Sequence, residues 1–510
     1  MENNNIKDTS KLHAGYKKFL IFSLLISATI LFTSKAKAQD YLKMGFEAQD
    51  KANLDDAIKY YNLALQKDSN LLPAYIKRGL CYQDLSQFDL ALKDFKKADE
   101  LKPNDPDIEM SIGTTEFHLK NYKSAEMYLE TALKKMPDNS RAQFDLALTK
   151  ANLKDYEGAI PAFDKAISLD PNKSQYYYSR AEIEDRMRKY QDALADCDRA
   201  IKLQKNYEKA YFLRAKEENE LKLYEKALHD LDVVIGMNPK NTRYYAEKGN
   251  IEYHQGNLKE SMNDCATAIN LNSLNGEAYY TKALAERDSG MMDSAKLDMA
   301  HANTLFKNKS PFVWIETAKL EIFNGDYPSA SEAAQKTLQI DPKYIYAAYQ
   351  LAYAEAYSGH DSAAFQILQR LVQADTNFAL AYWLMGRITY SGGNKLAAML
   401  YFNRGIKSKT DPLGAAYCYA FVGNEKMAET IINRIIQTND SAGYRIKARD
   451  LYGDLAYVYG VTKDEDKFFA SLNKAFAAGY ANKGWIVNSP ELFYLKEKPA
   501  YKELAAKYHF

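Results

Sequence analysis

Residues Ala74–Pro103 read AYIKRGLCYQDLSQFDLALKDFKKADELKP. Tyr75, Ile76, Gly79, Leu80 and Tyr82 keep helical spacing, and so do Leu90, Ala91, Leu92, Phe95, Ala98 and Leu101. Leu85-Ser86-Gln87 separates the two runs, and Pro103 stops the second. The stretch is a pair of short helices with an apolar stripe that one hairpin cannot bury alone.

Working outward, the alanine that opens the second helix recurs. Ala57, Ala91, Ala125, Ala159, Ala193, Ala227, Ser261 and Ala295 are spaced by 34 residues, and Ala330, Ala364, Ala398 and Ala428 follow at steps of 35, 34, 34 and 30. A second small residue stands 12 before each lead, for example Gly45, Gly79, Gly113, Ala147 and Gly386. A third column seven after the lead holds Ala64, Ala98, Ala132 and Ala166. Pro103, Pro137, Pro171, Pro239 and Pro342 close units. Helices approach closely where side chains are small, so the columns mark crossing points between neighbouring helices.

The period, the Gly/Ala pair, the second alanine and the terminal proline resemble the tetratricopeptide repeat (TPR) family over about residues 39–440, and more weakly over 449–476. The resemblance implies an all-α fold, a right-handed α-solenoid of roughly 12–13 stacked helical hairpins. In the late units Pro412 shortens a first helix, and Phe468 stands where alanine is expected. The tail from Gly484 to Phe510 resembles the closing segment that covers the last apolar face of such arrays. The expected organisation is a signal peptide over 1–38, the repeat array over 39–476 and a capping segment over 477–510.

The leader rests on Lys11, Lys17 and Lys18, the apolar run Phe19–Phe32, and Ala36-Lys37-Ala38 before Gln39. The run of 14 is short of the ~20 residues that span a bilayer as a helix. Cleavage after Ala38 leaves 62 basic and 65 acidic side chains. That balance gives no field for nucleic acid and no integral membrane domain is expected in the mature chain. The expected location is the periplasm or cell envelope of a Gram-negative bacterium.

Cys81, Cys197, Cys265 and Cys418 fall on core-facing positions of the repeat, too far apart for disulfides. The seven histidines form no metal motif, and no nucleophile elbow or phosphate-cradling glycine loop is present. No enzyme activity, cofactor or metal is therefore expected. Glu116, Glu184, Glu218, Glu252, Glu286, Glu321 and Glu355 stand nine before their leads, and Arg180, Arg214, Lys248 and Lys282 lie four earlier in their units. Those pairs predict a charge ladder between repeats.

The family resemblance implies that positions 2, 5, 9, 12 and 13 of each unit face the concave wall. In early units these are apolar (Leu42, Phe46, Ile76, Leu80, Met110, Phe117, Phe144), and in middle units mixed (Tyr178, Tyr253 and Arg287 among them). In late units they are Phe312, Phe323, Tyr346, Tyr349, Tyr353, Tyr357, Trp383, Arg387 and Tyr390. Tyr, Trp and Arg dominate binding hot spots, so these nine are the expected partner-binding residues. The expected function is an exported scaffold that binds partner proteins or peptides non-covalently on its concave surface. The alternative is a glycan- or peptidoglycan-binding module using the same late aromatics, because rings stack on sugars. The family's carboxylate clamp is not expected, since Leu42, Phe46, Ile76 and Leu80 occupy its positions.

Overall fold

The computed structural model describes residues 34–438, 450–480 and 482–510 in full, and the backbone of 439–441 and 445–449. The apolar leader run lies outside the described residues. The last residues before the expected cleavage point lie inside them. Helix 34–50 already includes Ala38, which is fully buried, and Ser34 Oγ donates to the Lys67 carbonyl at 2.9 Å.

The described residues are all-α, an α-solenoid of successive helical hairpins. Side-chain caps start many of the helices: Asn139 accepts from the Ala142 N–H, Asp155 from Gly158 and Asn275 from Ala278. Pro106, Pro311 and Pro412 occupy the first turn of theirs, where no intrahelical donor is lost. Pro412 opens the ten-residue helix Pro412–Phe421, which is why that unit is short.

Each hairpin closes through a left-handed residue five before the lead. Up to Lys222 this position holds ordinary side chains, such as Ser86, Lys120 and Lys154 (φ 58°, 64°, 65°); from Gly256 on, the repeats through Gly423 place glycine there. The residue after it donates back across the helix end, as Asp155 N–H does to the Lys150 carbonyl at 3.0 Å, closing a Schellman turn.

The hairpins are locked by one size match. The residue four after each lead is fully buried: Tyr61, Phe95, Leu129, Phe163, Leu231 and Phe402 among others. It faces the small residue of the partner helix. A Cβ on Gly79 would come within 2.8 Å of the Phe95 ring, and one on Gly113 within 2.8 Å of Leu129. Gly45 and Gly386 lie as close to Tyr61 and Phe402. All four cysteines are free and buried; Cys197 and Cys265 take the large residue's place at their crossings.

The expected Glu–base ladder exists in another form. The base at each site reaches aspartates on the second helices of its own and the preceding hairpin. Arg180 pairs with Asp196 at 2.7 Å and Asp164 at 2.5 Å, and Arg78 with Asp94 at 2.6 Å and with Asn62. Lys248 holds Asp232 at 2.8 Å and Asp264 at 3.7 Å. The glutamates are instead buried beside these aspartates. Burial first, then the neighbouring Asp196, pushes Glu184 up to about 7; burial and Asp264 push Glu252 up to about 8. Two of the expected pairs do form, Arg180 with Glu184 at 4.0 Å and Lys282, which touches both Glu286 and Asp298 at 2.5 Å.

The chain divides into two compact units, residues 1–217 and 218–510, within helix Glu208–Glu220. In unit 1 the concave positions Phe46, Ile76, Leu80, Met110 and Phe117 are half-buried, while Leu42 and Phe144 are buried. In unit 2 the hairpins curve until helix Thr242–Gln255 meets helix Arg445–Thr462. There the final helix Pro499–Tyr508 packs on helix Glu465–Ala477, with Phe476 stacked on Tyr508 at 4.4 Å between ring centres.

Candidate functional site

Within unit 2 the concave positions of successive hairpins converge on one cavity of about 930 Å³. Units led by Ser261, Ala295, Ala330 and Ala364 supply Tyr253, then Tyr280 and Arg287, then Lys319 and Phe323, then Tyr346, Tyr349, Tyr353 and Tyr357. Trp383 follows from helix Ala379–Ser391 and Tyr417 from helix Pro412–Phe421. Asp450, Asp454 and Tyr457 come from helix Arg445–Thr462, and Tyr480, Asn482 and Trp485 from the tail.

The nine expected residues separate into three groups. Phe323, Tyr346, Tyr349, Tyr353, Tyr357 and Trp383 line the cavity. Phe312 lies outside it, 45% exposed, edge-on to Tyr280 and Phe306. Tyr390 packs against Phe421. Arg387 is occupied by the chain itself: its Nε donates to the Glu491 carboxylate at 3.1 Å, and its guanidinium lies 4.1 Å from the Tyr357 ring centre.

Glu491 belongs to a tail segment that runs along the inner side of these helices. Gly484 sits so close to helix Pro311–Asn324 that a Cβ would come within 2.9 Å of the Ile322 carbonyl oxygen. Asn488 Nδ2 donates to Tyr327 at 3.4 Å, Ser489 meets the Tyr357 hydroxyl at 3.1 Å, and Tyr457 donates to Glu491 at 2.5 Å. Tyr494 donates to the Gly460 carbonyl at 2.8 Å.

The cavity's charges are largely consumed internally. Arg287 binds Asp288 at 2.9 Å and Glu316 at 2.8 Å, and Lys319 closes on Glu316 at 2.5 Å. Arg287 and Lys319 pull Glu316 below the usual carboxylate range against its burial. Asp454 accepts from the Tyr417 hydroxyl at 2.5 Å, yet burial pushes it up to about 7. Rings surround this corner: Trp383 lies 5.2 Å from Tyr417, 5.8 Å from Tyr457 and 6.4 Å from Tyr353 between centres. Trp485 donates its indole N–H to Tyr480 at 2.6 Å. Trp383 Nε1, with the residue only 3% exposed, has no acceptor among the described residues, and Asn482 Oδ1 has no donor. Among the described residues no cluster of histidine, cysteine and acids could hold a metal ion.

Several cavity residues fall outside the nine. Leu413, Tyr417, Asp450 and Tyr457 occupy the same concave positions 5, 9, 2 and 9 of the shortened and the irregular late units, so carrying the frame through those units selects them. Tyr480, Asn482 and Trp485 had no periodic signal, because they lie beyond the last hairpin.

A stack of helical hairpins with a fixed small-against-large crossing defines an α-helical repeat protein. Residues 72–105 and 116–183 each match a tetratricopeptide repeat family, and the chain carries tetratricopeptide repeats. Among solved structures it is similar to a tetratricopeptide repeat protein from Parabacteroides merdae (16% identity, 52% of this chain and 98% of that one, TM-score 0.39). It is similar to PilF of Pseudomonas aeruginosa (18% identity, 42% and 96%, TM-score 0.37). It is also similar to YrrB, described as a TPR protein with an unusual peptide-binding site (25% identity, 35% and 90%, TM-score 0.31). No curated protein matches the chain.

Proposed function

We propose that the chain is an exported interaction scaffold that binds partner proteins or peptides non-covalently on concave surfaces of its repeats, in the cell envelope. The observation that carries this reading is the tetratricopeptide repeat array itself, whose hairpins present rows of side chains on a preformed surface. Rigid rings contribute contact area at low entropic cost. Of the nine late residues, Phe312 and Tyr346 are 45% and 39% exposed and are the ones a protein partner reaches first. In unit 1 the half-buried Phe46, Ile76, Leu80, Met110 and Phe117 offer a second, apolar row. Export rests on the basic, apolar and small-residue pattern of the first 38 residues.

A photo-crosslinking amino acid at Phe312, Tyr346 or Phe117 in intact cells tests the reading. The expected result is a discrete set of covalently captured envelope proteins. Monomeric, uncaptured chain at all three positions overturns it. Amino-terminal sequencing of the exported chain tests maturation, with Gln39 the expected first residue.

A further inference from the structure

We infer that the cavity of unit 2 is a binding site for a short neutral oligosaccharide, seated beside Trp383 and Asn482. The inference is separate from the scaffold reading; of the exposed residues that reading rests on, only Tyr346 lines this chamber.

Four observations carry it. The first is size. At about 930 Å³ the space lies at the upper end of the 300–1,000 Å³ typical of small-molecule sites. The second is shape. The tail residues Tyr480, Asn482 and Trp485 form one wall, and Gly484 is wedged against the Ile322 carbonyl. The neighbouring inner face is already covered by the chain's own segment through Arg387–Glu491. What remains is a chamber for a compact ligand.

The third is polarity. Trp383 Nε1 is a buried donor with no acceptor among the described residues, and Asn482 Oδ1 is a buried acceptor with no donor. Leaving such groups unpaired in the interior is unfavourable. A ligand that pairs with both must accept at one point and donate at another, as the hydroxyls along a sugar chain do. An organic cation cannot accept from an indole N–H.

The fourth is charge and surface. Arg287 and Lys319, the chamber's two permanent cations among the described residues, are both engaged by Asp288 and Glu316 and so are spent for an anionic ligand. Much of the remaining wall is ring, with aliphatic side chains such as Leu284, Ile322 and Leu380 and the acids Asp450 and Asp454 between. Sugars are unusual among polar molecules in offering hydroxyls at the edge and C–H faces that lie on aromatic rings. A peptide main chain needs a run of amides to follow it, whereas the wall offers two, Gln350 and Asn482.

Fluorescence tests this directly. The chain has three tryptophans, and two of them, Trp383 and Trp485, line the chamber. In full-length Trp314→Phe, emission reports on the chamber alone. The probes are maltotriose, cellotriose and N-acetylchitotriose, with trialanine as the peptide probe. The expected result is a saturable emission shift with at least one saccharide at up to millimolar concentration and none with trialanine. Trp383→Phe, which keeps a ring and removes the donor, weakens that binding roughly fivefold to tenfold. Asn482→Ala weakens it similarly while thermal unfolding stays cooperative. No shift with any of the three saccharides, a shift with trialanine alone, or a saccharide affinity unchanged in both variants overturns the inference.

Discussion

Arg387 and Glu491 stand 104 residues apart in the chain, and their side chains meet at 3.1 Å with both nearly excluded from water. Arg387 lies on the concave row that a repeat reading reserves for a partner. Here the tail supplies the partner group. Tyr457 adds a hydroxyl to the same carboxylate, and Tyr357 lies under the guanidinium. A buried pair of this kind adds less to stability than its geometry implies, but losing one member leaves a charge without compensation.

Arg387→Met or Glu491→Gln is therefore expected to lower stability by about 3 kcal/mol or more. Limited proteolysis should then cut first within 484–495. The double change Arg387→Met with Glu491→Gln should cost less than the two singles added, because no lone charge remains. Additive costs would mean that the two side chains do not interact.

The base ladder gives a second expectation. Arg180→Met removes contacts to both Asp164 and Asp196 and leaves the buried Asp196 uncompensated. Chemical denaturation should show a loss of about 2–4 kcal/mol. Lys165→Met removes an exposed pair with Asp138 and should change stability by less than about 1 kcal/mol. Equal effects would remove the ladder from the account of stability.

Glu184 and Glu252 make stability depend on pH. Each carboxyl ionises in the fold well above its ordinary value of 4.5, at about 7 and about 8. The folded state then holds protons that the unfolded chain has released. Their contribution is fully present below pH 4.5 and is lost as pH rises through 7 and 8. Thermal midpoints should fall between about pH 4.5 and pH 8, and Glu252→Gln should flatten part of that fall. A slope unchanged in Glu252→Gln would contradict the assignment.

The hairpin turns differ along the chain in a way that mutation can read. Lys154 adopts φ 65°, a conformation that costs a side chain about 1–2 kcal/mol. Lys154→Gly should raise stability by up to about 1 kcal/mol despite the added freedom of the unfolded chain. Gly359→Ala, at φ 84° with open space around it, should lower it by about 1 kcal/mol.

Much of the architecture was legible because the signal is steric and repeated. Gly79 facing Phe95 and Gly113 facing Leu129 repeat the same crossing 34 residues apart, which is the interval the sequence shows. The concave row was legible for the same reason: Tyr349, Tyr353 and Trp383 lie where the frame puts them. Two things were not legible. Helical periodicity says which face a base occupies but not which neighbour it chooses, so Lys248 was paired with Glu252 although it reaches Asp232 and Asp264. The tail's return along the inner face has no period at all. It depends on single contacts such as Gly484 at Ile322 and Glu491 at Arg387, which only the folded chain brings together.

The seated tail closes one wall of the chamber, so amide hydrogen exchange over residues 484–495 is the most direct measurement. Protection comparable to that of helices Ile345–Tyr357 and Ala379–Ser391, lost in Arg387→Met, is the predicted result. Exchange of 484–495 at the rate of a free peptide in the unaltered chain would contradict it.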